Sequence, residues 1–306
     1  MGAAKAVLVT GATGLVGRRL VASLRGDDRA VRIVSRSAAP EGFDASVAAV
    51  SWNGRDLPRE ALAGAGAVVH LAGEPVFGPL PTAAHMRRVR ASRVESTESL
   101  VRALGELPEA ERPECLVCAS AVGYYGSRGD TPLDEGAEPG EGLLAEVCTA
   151  WERAARGAEP LGVRTVRVRI GIVLAKEGGA LPTIAQVFRV GLGGRLGNGR
   201  QWFPWVAIDD LIALLRAAID DPRWSGAVNA VAPGVVTNAE FTRALGRQLG
   251  RRTWLPVPAA VVRKALGELS GELLGSRRLV PRAAQERGFR FAYPELEPAL
   301  RAALDR

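Results

Sequence analysis

The sequence predicts an α/β fold: a doubly wound parallel sheet with helices on both faces, followed by a smaller, mainly helical C-terminal lobe. Three observations carry that expectation. Strand-like apolar runs alternate with helical apolar spacing as far as residue 175. A glycine-punctuated turn joins the first strand to the first helix. From about residue 175 the pattern becomes irregular, and from Asn238 onward it is mainly helical and cut by prolines.

Taken in order, Ala6–Thr10 is a short β run and Leu15–Leu24 repeats apolar residues at helical spacing. Ala30–Val34, Val47–Trp52 and Ala67–Leu71 read as strands. Arg87–Leu104 reads as a long helix with Val89, Val94, Leu100 and Leu104 near one stripe. Cys115–Ala121 is a strand, Leu143–Arg156 a helix and Val163–Leu174 a strand. Gly191–Gly199 holds five glycines in nine residues, which suits a loop. Ile208–Ile219 is helical, Ala227–Val231 strand-like, and the segments from Asn238 onward helical between prolines. No internal repeat is present.

Composition excludes several classes. Of 306 residues, 47% are hydrophobic and 24% charged, values that fit a globular chain rather than a disordered, collagenous or disulfide-knotted one. No apolar run approaches the ~18 residues that span a bilayer, so no membrane association is expected. The start, Met1–Ala4, fits no signal peptide, because glycines soon break any targeting core. Three cysteines suggest a reducing, cytoplasmic setting. Net charge is +7, yet the arginines look scattered in sequence, whereas nucleic-acid binding needs a patch or stripe. No nucleic-acid partner and no metal are expected.

The strongest local signal is Val7-Leu8-Val9-Thr10-Gly11-Ala12-Thr13-Gly14-Leu15-Val16-Gly17. Gly11 permits a tight turn, Gly14 lets backbone N–H groups approach a diphosphate, and Gly17 lets the helix pack close. Unpaired N–H groups at the helix start, with the helix dipole, favour that anion. The discriminating position lies about 20 residues further on. There the chain reads Ser35-Arg36-Ser37, with no carboxylate for a ribose 2′-hydroxyl. A guanidinium between two hydroxyls suits a 2′-phosphate, so the expected cofactor is NADP(H).

These glycines, with Val68–Gly73, Ser120–Gly126 and Trp205–Asp210, resemble the extended short-chain dehydrogenases/reductases, the group of the nucleotide-sugar epimerases. Leu71-Ala72-Gly73-Glu74-Pro75, the Gly191–Gln201 loop and Gly275–Pro281 leading to Gly288-Phe289 are similar to an atypical "epimerase family protein" subfamily. The resemblance spans nearly the whole chain. It implies a Rossmann-type cofactor domain, 1–175 plus about 204–234, and a substrate lobe, about 176–203 plus 235–306. It places Leu71, Ala72, Gly73 and Ser120 beside the cofactor, with Thr10, Gly11, Thr13, Gly14, Leu15, Val16, Gly17, Ser35, Arg36 and Ser37. Members of this group often form homodimers through a four-helix bundle; this sequence gives no independent sign of one.

The chemistry transfers less completely. The group uses a Ser or Thr with a Tyr and a Lys four residues apart on one helix face. This chain has no Tyr-x-x-x-Lys; alignment to the family pattern puts Ala121, Leu144 and Cys148 at the three positions. Tyr125 and Tyr124, just past a strand end, are the candidate catalytic residues. Glu74, Arg93, Arg169, Arg200 and Trp202 are the candidate contacts to a small-molecule substrate bearing a hydroxyl or carbonyl, with a nucleotide sugar as one form. The competing expectation is an NADP(H)-binding regulator or redox sensor without turnover.

Plainer roles remain open for several residues. His70 either joins the chemistry or closes a strand-end hydrogen bond. His85 is expected at the surface. Cys115 and Cys118, three apart in a strand, face opposite sides and make no redox or metal pair. Cys148 reads as a small packing residue with no cation identifiable beside it. Phe203 and Trp205 suit core packing. Asp209-Asp210 read as a cap for a helix starting near Leu211, and Asp134-Glu135 as a polar turn.

Overall fold

Val7, Leu8, Val9 and Thr10 are all buried, which marks their strand as covered on both faces rather than edge-exposed. In the computed structural model, which describes residues 5–44, 47–77 and 82–305, this strand lies in the interior of a seven-stranded parallel sheet. Met1–Ala4 lie outside the described residues. The strands are β1 (Ala6–Thr10), β2 (Val31–Ser35), β3 (Ala48–Ser51), β4 (Ala65–His70), β5 (Cys115–Ala121), β6 (Pro132–Leu133), β7 (Arg164–Ile170), β8 (Ile172–Leu174), β9 (Trp202–Phe203), β10 (Trp205–Ala207), β11 (Gly226–Ala230), β12 (Val236–Thr237) and β13 (Arg278–Leu279). The helices are α1 (Leu15–Gly26), α2 (Arg59–Leu62), α3 (Ala83–Gly105), α4 (Leu143–Arg156), α5 (Ala180–Arg189), α6 (Ile208–Asp220), α7 (Asn238–Gln248), α8 (Ala259–Leu266), α9 (Ser270–Leu274), α10 (Arg282–Glu286) and α11 (Leu296–Asp305).

The sheet order is β11-β7-β5-β4-β1-β2-β3, so the chain winds outward in both directions from β1. The reversal falls between β1 and β4, where open α/β sheets bind ligands beyond the strand carboxyl ends. Register fixes that edge: Thr10 pairs with Val34 on one side and His70 on the other. The expected fold class and its doubly wound sheet are therefore present.

Two compact units emerge. The first takes in Met1–Ser120, Val147–Val168 and Leu215–Gly226; the second takes in Ala121–Glu146, Arg169–Leu214 and Ala227–Arg306. Their limits cut β5, α4, β7, α6 and β11 rather than the points near 175, 203 and 234 where the sequence pattern changes.

Within the first unit, α3 is capped by the Thr82 hydroxyl, which accepts from the His85 amide at 3.1 Å. Within the second, one core gathers Leu174, Leu181, Phe188, Trp205, Phe241 and Leu300. Phe203 stacks on Phe241 at 4.0 Å between ring centroids. Trp205 is fully buried and donates to the Gly234 carbonyl at 3.0 Å. Helix α7 starts in a capping box, Thr237 and Glu240 each satisfying the other's backbone amide.

Several local expectations are corrected. Val163–Leu174 is two strands, not one. The Gly171 amide still donates to the Ala230 carbonyl at 3.1 Å, but the next amide, Ile172, donates to the Pro204 carbonyl at 2.8 Å, and β8 then pairs with β10; a Cβ on Gly171 would sit 2.9 Å from the Pro204 carbonyl oxygen. The segment after 175 that looks irregular contains α5, whose Pro182 lies in the first turn, where a missing N–H is harmless. Asp210 does not cap a helix starting at Leu211. Helix α6 starts at Ile208, and the buried Asp210 carboxylate instead accepts the Ala292 and Tyr293 amides at 2.6 and 3.0 Å.

Candidate functional site

In the first unit, β1 ends in a turn that only glycine fits. Gly11 has φ +66°, and a Cβ on it would lie 2.5 Å from the Leu71 carbonyl carbon and oxygen. Gly14 then forms the extended N-cap of α1, with no side chain capping the helix and no acid in the first turn. A Cβ on Gly17 would strike the Gly11 carbonyl, so that glycine lets helix and turn close on each other. The Gly14 amide donates to the Gly11 carbonyl at 3.1 Å, and no side chain among the described residues caps the amides that follow at the start of α1. Arg18, one position past the motif, donates to the Thr13 carbonyl at 2.9 Å and sits over the Phe43 ring, helping to fix the turn.

Ser35 ends β2 at the same edge, and Arg36 and Ser37 follow it. Ser35 and Ser37 close a local turn, the Ser37 amide donating to the Ser35 hydroxyl at 3.1 Å. The Arg36 side chain is exposed and forms no hydrogen bond or ion pair among the described residues.

His70 sits at the end of β4, fully buried. Ser96 donates its proton to the Ser92 carbonyl at 2.7 Å, so its oxygen is left to accept from His70 Nε2 at 3.2 Å. His70 Nδ1 then accepts from the Thr10 hydroxyl at 2.7 Å, and Thr10 in turn accepts from the Ala72 amide at 3.3 Å. Burial holds the imidazole down at about 4, neutral at physiological pH. Both ring nitrogens are occupied, which resolves the open alternative: His70 ties β1, β4 and α3 together and shapes the turn at Leu71 and Ala72.

Beyond that turn, Glu74 and Arg93 come together. Arg93 donates to the Glu74 carbonyl at 2.8 Å and the Ser92 hydroxyl accepts the Glu74 amide at 2.9 Å. Arg88 donates to the Glu74 carboxylate at 3.0 Å and holds it below the ordinary carboxylate range. His85 is not at the surface as expected: it is buried, with Nε2 3.0 Å from the Val76 carbonyl and Nδ1 3.5 Å from Glu74. The chain after β4 folds back over α3 and covers it. The Arg93 guanidinium lies 5.2 Å from the Trp151 ring, and a Cβ on Gly73 would sit 3.3 Å from it.

The three positions that replace the usual chemical set are also placed. Ala121 ends β5, and Leu144 and Cys148 lie on α4. Cys148 is buried close enough to Arg93 for the two to interact electrostatically, a cationic neighbour not identifiable from sequence. The Ser120 hydroxyl donates to the buried Glu152 at 2.8 Å. Cys115 and Cys118 are buried, and burial pushes their thiols up to about 11 and about 12. No cluster of metal-ligating side chains occurs among the described residues.

The second unit holds both tyrosines in one 3₁₀ turn, Val122–Tyr125, which follows β5. Tyr125 is fully buried; its hydroxyl donates to Asn229 Oδ1 at 2.6 Å and accepts from Arg169 at 2.7 Å. Burial pushes that phenol up to about 12. Arg169, also buried, lies 3.5 Å from the half-buried Tyr124 ring centroid, and Tyr124 meets Tyr125 edge to face. The Glu135 carboxylate accepts the Asn229 amide at 2.9 Å and the Ala283 amide at 3.2 Å, so it is a structural clasp rather than a surface turn. Arg277 donates to the Gly126 carbonyl at 2.6 Å and Ser276 to the Gly129 carbonyl at 3.0 Å, so the Gly275–Pro281 motif straps this loop in place. Trp202 donates to Asp130 at 2.9 Å and lies under Arg278, while Arg200 is exposed in its glycine loop. Arg169 and the tyrosines are thus brought together; Arg200 and Trp202 have other neighbours.

The missed members, Asn229, Ser96, Arg88 and Glu152, had little signal of their own. Only the Ser92–Ser96 pair, four apart on a helix and polar where a buried stripe runs, was legible in principle.

Comparison with known proteins agrees with this geometry. Residues 7–231 match the model of the NAD dependent epimerase/dehydratase family, and residues 257–303 match a domain of unknown function, DUF1731. The chain is 40% identical over 304 residues to the epimerase family protein Mb2239 of Mycobacterium bovis, covering 98% of each. It is 38% identical over 308 residues to the chloroplastic epimerase family protein SDR39U1 homolog of Arabidopsis thaliana, covering 97% of this chain and 86% of that protein. Among solved structures it resembles human epimerase family protein SDR39U1 (isoform 2) with NADPH, at 33% identity and TM-score 0.88, over 98% of this chain and 99% of that one. A nucleoside-diphosphate sugar epimerase from Corynebacterium glutamicum matches at 34% identity and TM-score 0.80, over 99% of this chain and 58% of that one.

Proposed function

Because the chain belongs to the NAD dependent epimerase/dehydratase family, we propose that it is an NADP(H)-binding oxidoreductase or epimerase. Its substrate would be small and bear a hydroxyl or carbonyl, a nucleotide sugar being one form. It would work without the usual Ser-Tyr-Lys set.

One observation carries the cofactor half: α1 starts at an uncapped glycine, without acid, in a turn where Gly11 and Gly17 leave no room for a Cβ. Backbone at Gly11, Thr13, Gly14, Leu15, Val16 and Gly17 would hold the diphosphate. Leu71, Ala72 and Gly73 would lie along the cofactor beyond the switch point, with Thr10 and Ser120 at the ends of their strands. Ser35, Arg36 and Ser37 would take the 2′-phosphate, and the human relative solved with NADPH supports that choice. When bound, the cofactor supplies a hydride donor or acceptor.

For the substrate half, Tyr124 is the better of the two tyrosines as the proton-handling group. The Tyr125 proton is committed to Asn229 and its phenol is raised by burial, so Tyr125 acts by fixing Arg169 under Tyr124. Glu74 and Arg93 in the first unit, and Arg169, Arg200 and Trp202 in the second, remain the proposed substrate contacts, each taken within its own unit. The replacement of all three usual groups favours a second reading, a cofactor-binding regulator without turnover. Calorimetry with NADPH and NADH tests the cofactor assignment, and absence of heat with either overturns it. Hydride exchange between labelled NADPH and a panel of carbonyl compounds and nucleotide sugars separates the two readings; no exchange with any of them leaves the regulator.

A further inference from the structure

The arginines that look scattered along the sequence are not scattered on the second unit. Segments 178–208 and 241–267 contain no Asp or Glu and carry nine Arg or Lys between them. The fold joins these two segments. Leu196 bridges Val257, Val257 donates to the Arg195 carbonyl at 2.8 Å, and Gly197 donates to the Val257 carbonyl at 2.8 Å. The Gly194 backbone packs on the Leu255 carbonyl so closely that no Cβ fits.

The same two segments hold nearly all the large apolar side chains that the described residues expose. Val187, Val190, Leu192, Trp254, Leu255 and Val261 lie here; only Phe77 lies elsewhere. Trp254 is 79% exposed and stands at the rim of a concave patch. Beside it an open pocket of about 820 Å³ is lined by Arg195, Arg243, Arg247, Arg251 and Arg252. Glu297 pairs with Arg247 and Glu240 lies near Arg243, but Arg195, Arg251 and Arg252 form no ion pair among the described residues.

We infer that this face docks on an anionic lipid bilayer, with Trp254, Leu192 and Val190 entering the head-group layer and the arginine pocket taking phosphodiester head groups. Exposed tryptophan and aliphatic side chains on segments that carry cations and no acid suit interfacial binding. A second copy of the chain fits poorly, because a twofold contact would set the same arginines against each other. Every charged residue lining the pocket is an arginine, which suits phosphodiester head groups. No described helix is long and apolar enough to cross a membrane; surface docking needs none.

The test is co-sedimentation of the full chain with vesicles of phosphatidylcholine alone and of phosphatidylcholine mixed with phosphatidylglycerol. Binding is expected on the mixed vesicles only, weakening as salt rises. Arg251→Glu with Arg252→Glu should weaken it at least about tenfold, since each basic residue near the surface contributes roughly fivefold. Trp254→Ser with Leu192→Ser should weaken it about tenfold or more. All four side chains are exposed, so NADPH affinity and the thermal midpoint should be unchanged and serve as the folding control. No sedimentation with the mixed vesicles at low salt overturns the inference. So does equal binding of the serine variant, or capture of the chain by an acidic amphipathic peptide while vesicles leave it in solution.

Discussion

The Tyr125 hydroxyl donates to Asn229 and accepts from Arg169, so the most buried phenol in the second unit has both of its hydrogen-bonding roles filled by groups that are themselves buried. This makes Tyr125 a positioning residue for Arg169 and, through Arg169, for Tyr124. Tyr125→Phe removes the shared hydroxyl and leaves two polar groups in need of partners. Unfolding free energy should fall by about 1–3 kcal/mol in denaturant titrations. Tyr124→Phe keeps its ring against Arg169 and should lose NADPH turnover in steady-state assays. Wild-type turnover in that variant removes Tyr124 as the proton-handling group.

Gly11→Ala should fail twice over. It forces an alanine to φ +66° and drives its Cβ into the Leu71 backbone. The expected loss is at least about 2 kcal/mol of stability, together with loss of NADPH binding by calorimetry. Gly26→Ala is the control on the same helix: a Cβ there meets nothing, and binding should be unchanged.

Arg36→Ala separates the two coenzymes. Because the side chain is exposed and forms no hydrogen bond or ion pair among the described residues, folding should be untouched. NADPH affinity should fall roughly tenfold or more, the value of one charge-assisted contact to phosphate, while NADH affinity stays within about twofold. Equal losses for both coenzymes would show that Arg36 does not read the 2′-phosphate.

His70 makes the chain acid-sensitive. Its imidazole protonates at about 4 in the folded chain against 6.5 for the ordinary group. Between those values the unfolded chain holds a proton that the folded chain refuses. Stability from this residue is therefore complete above pH 6.5 and lost as pH falls toward 4. The total is about 3 kcal/mol from a shift of 6.5 to about 4. Urea titrations at pH 7 and pH 4.5 should show the drop, and His70→Gln should flatten it.

What the sequence determined by itself is the part governed by neighbours along the chain. The alternation of apolar runs fixed β1, α1, β2 and the rest of the doubly wound sheet, because side-chain period and burial are local properties of a strand or helix. The glycine spacing fixed the anion cradle, because the turn, the N-cap and the close helix approach all involve residues within seven positions. Tertiary structure decided the rest. Asp210 finds the Ala292 and Tyr293 amides more than eighty residues away, His85 is covered by the loop after β4, and Cys148 meets Arg93 from another helix. Polar and charged side chains carry no period that names their partners, so their pairing emerges only when distant segments meet. The same reason hid the cationic face: each segment is ordinary alone, and its charge becomes a surface property only where Leu196 joins Val257.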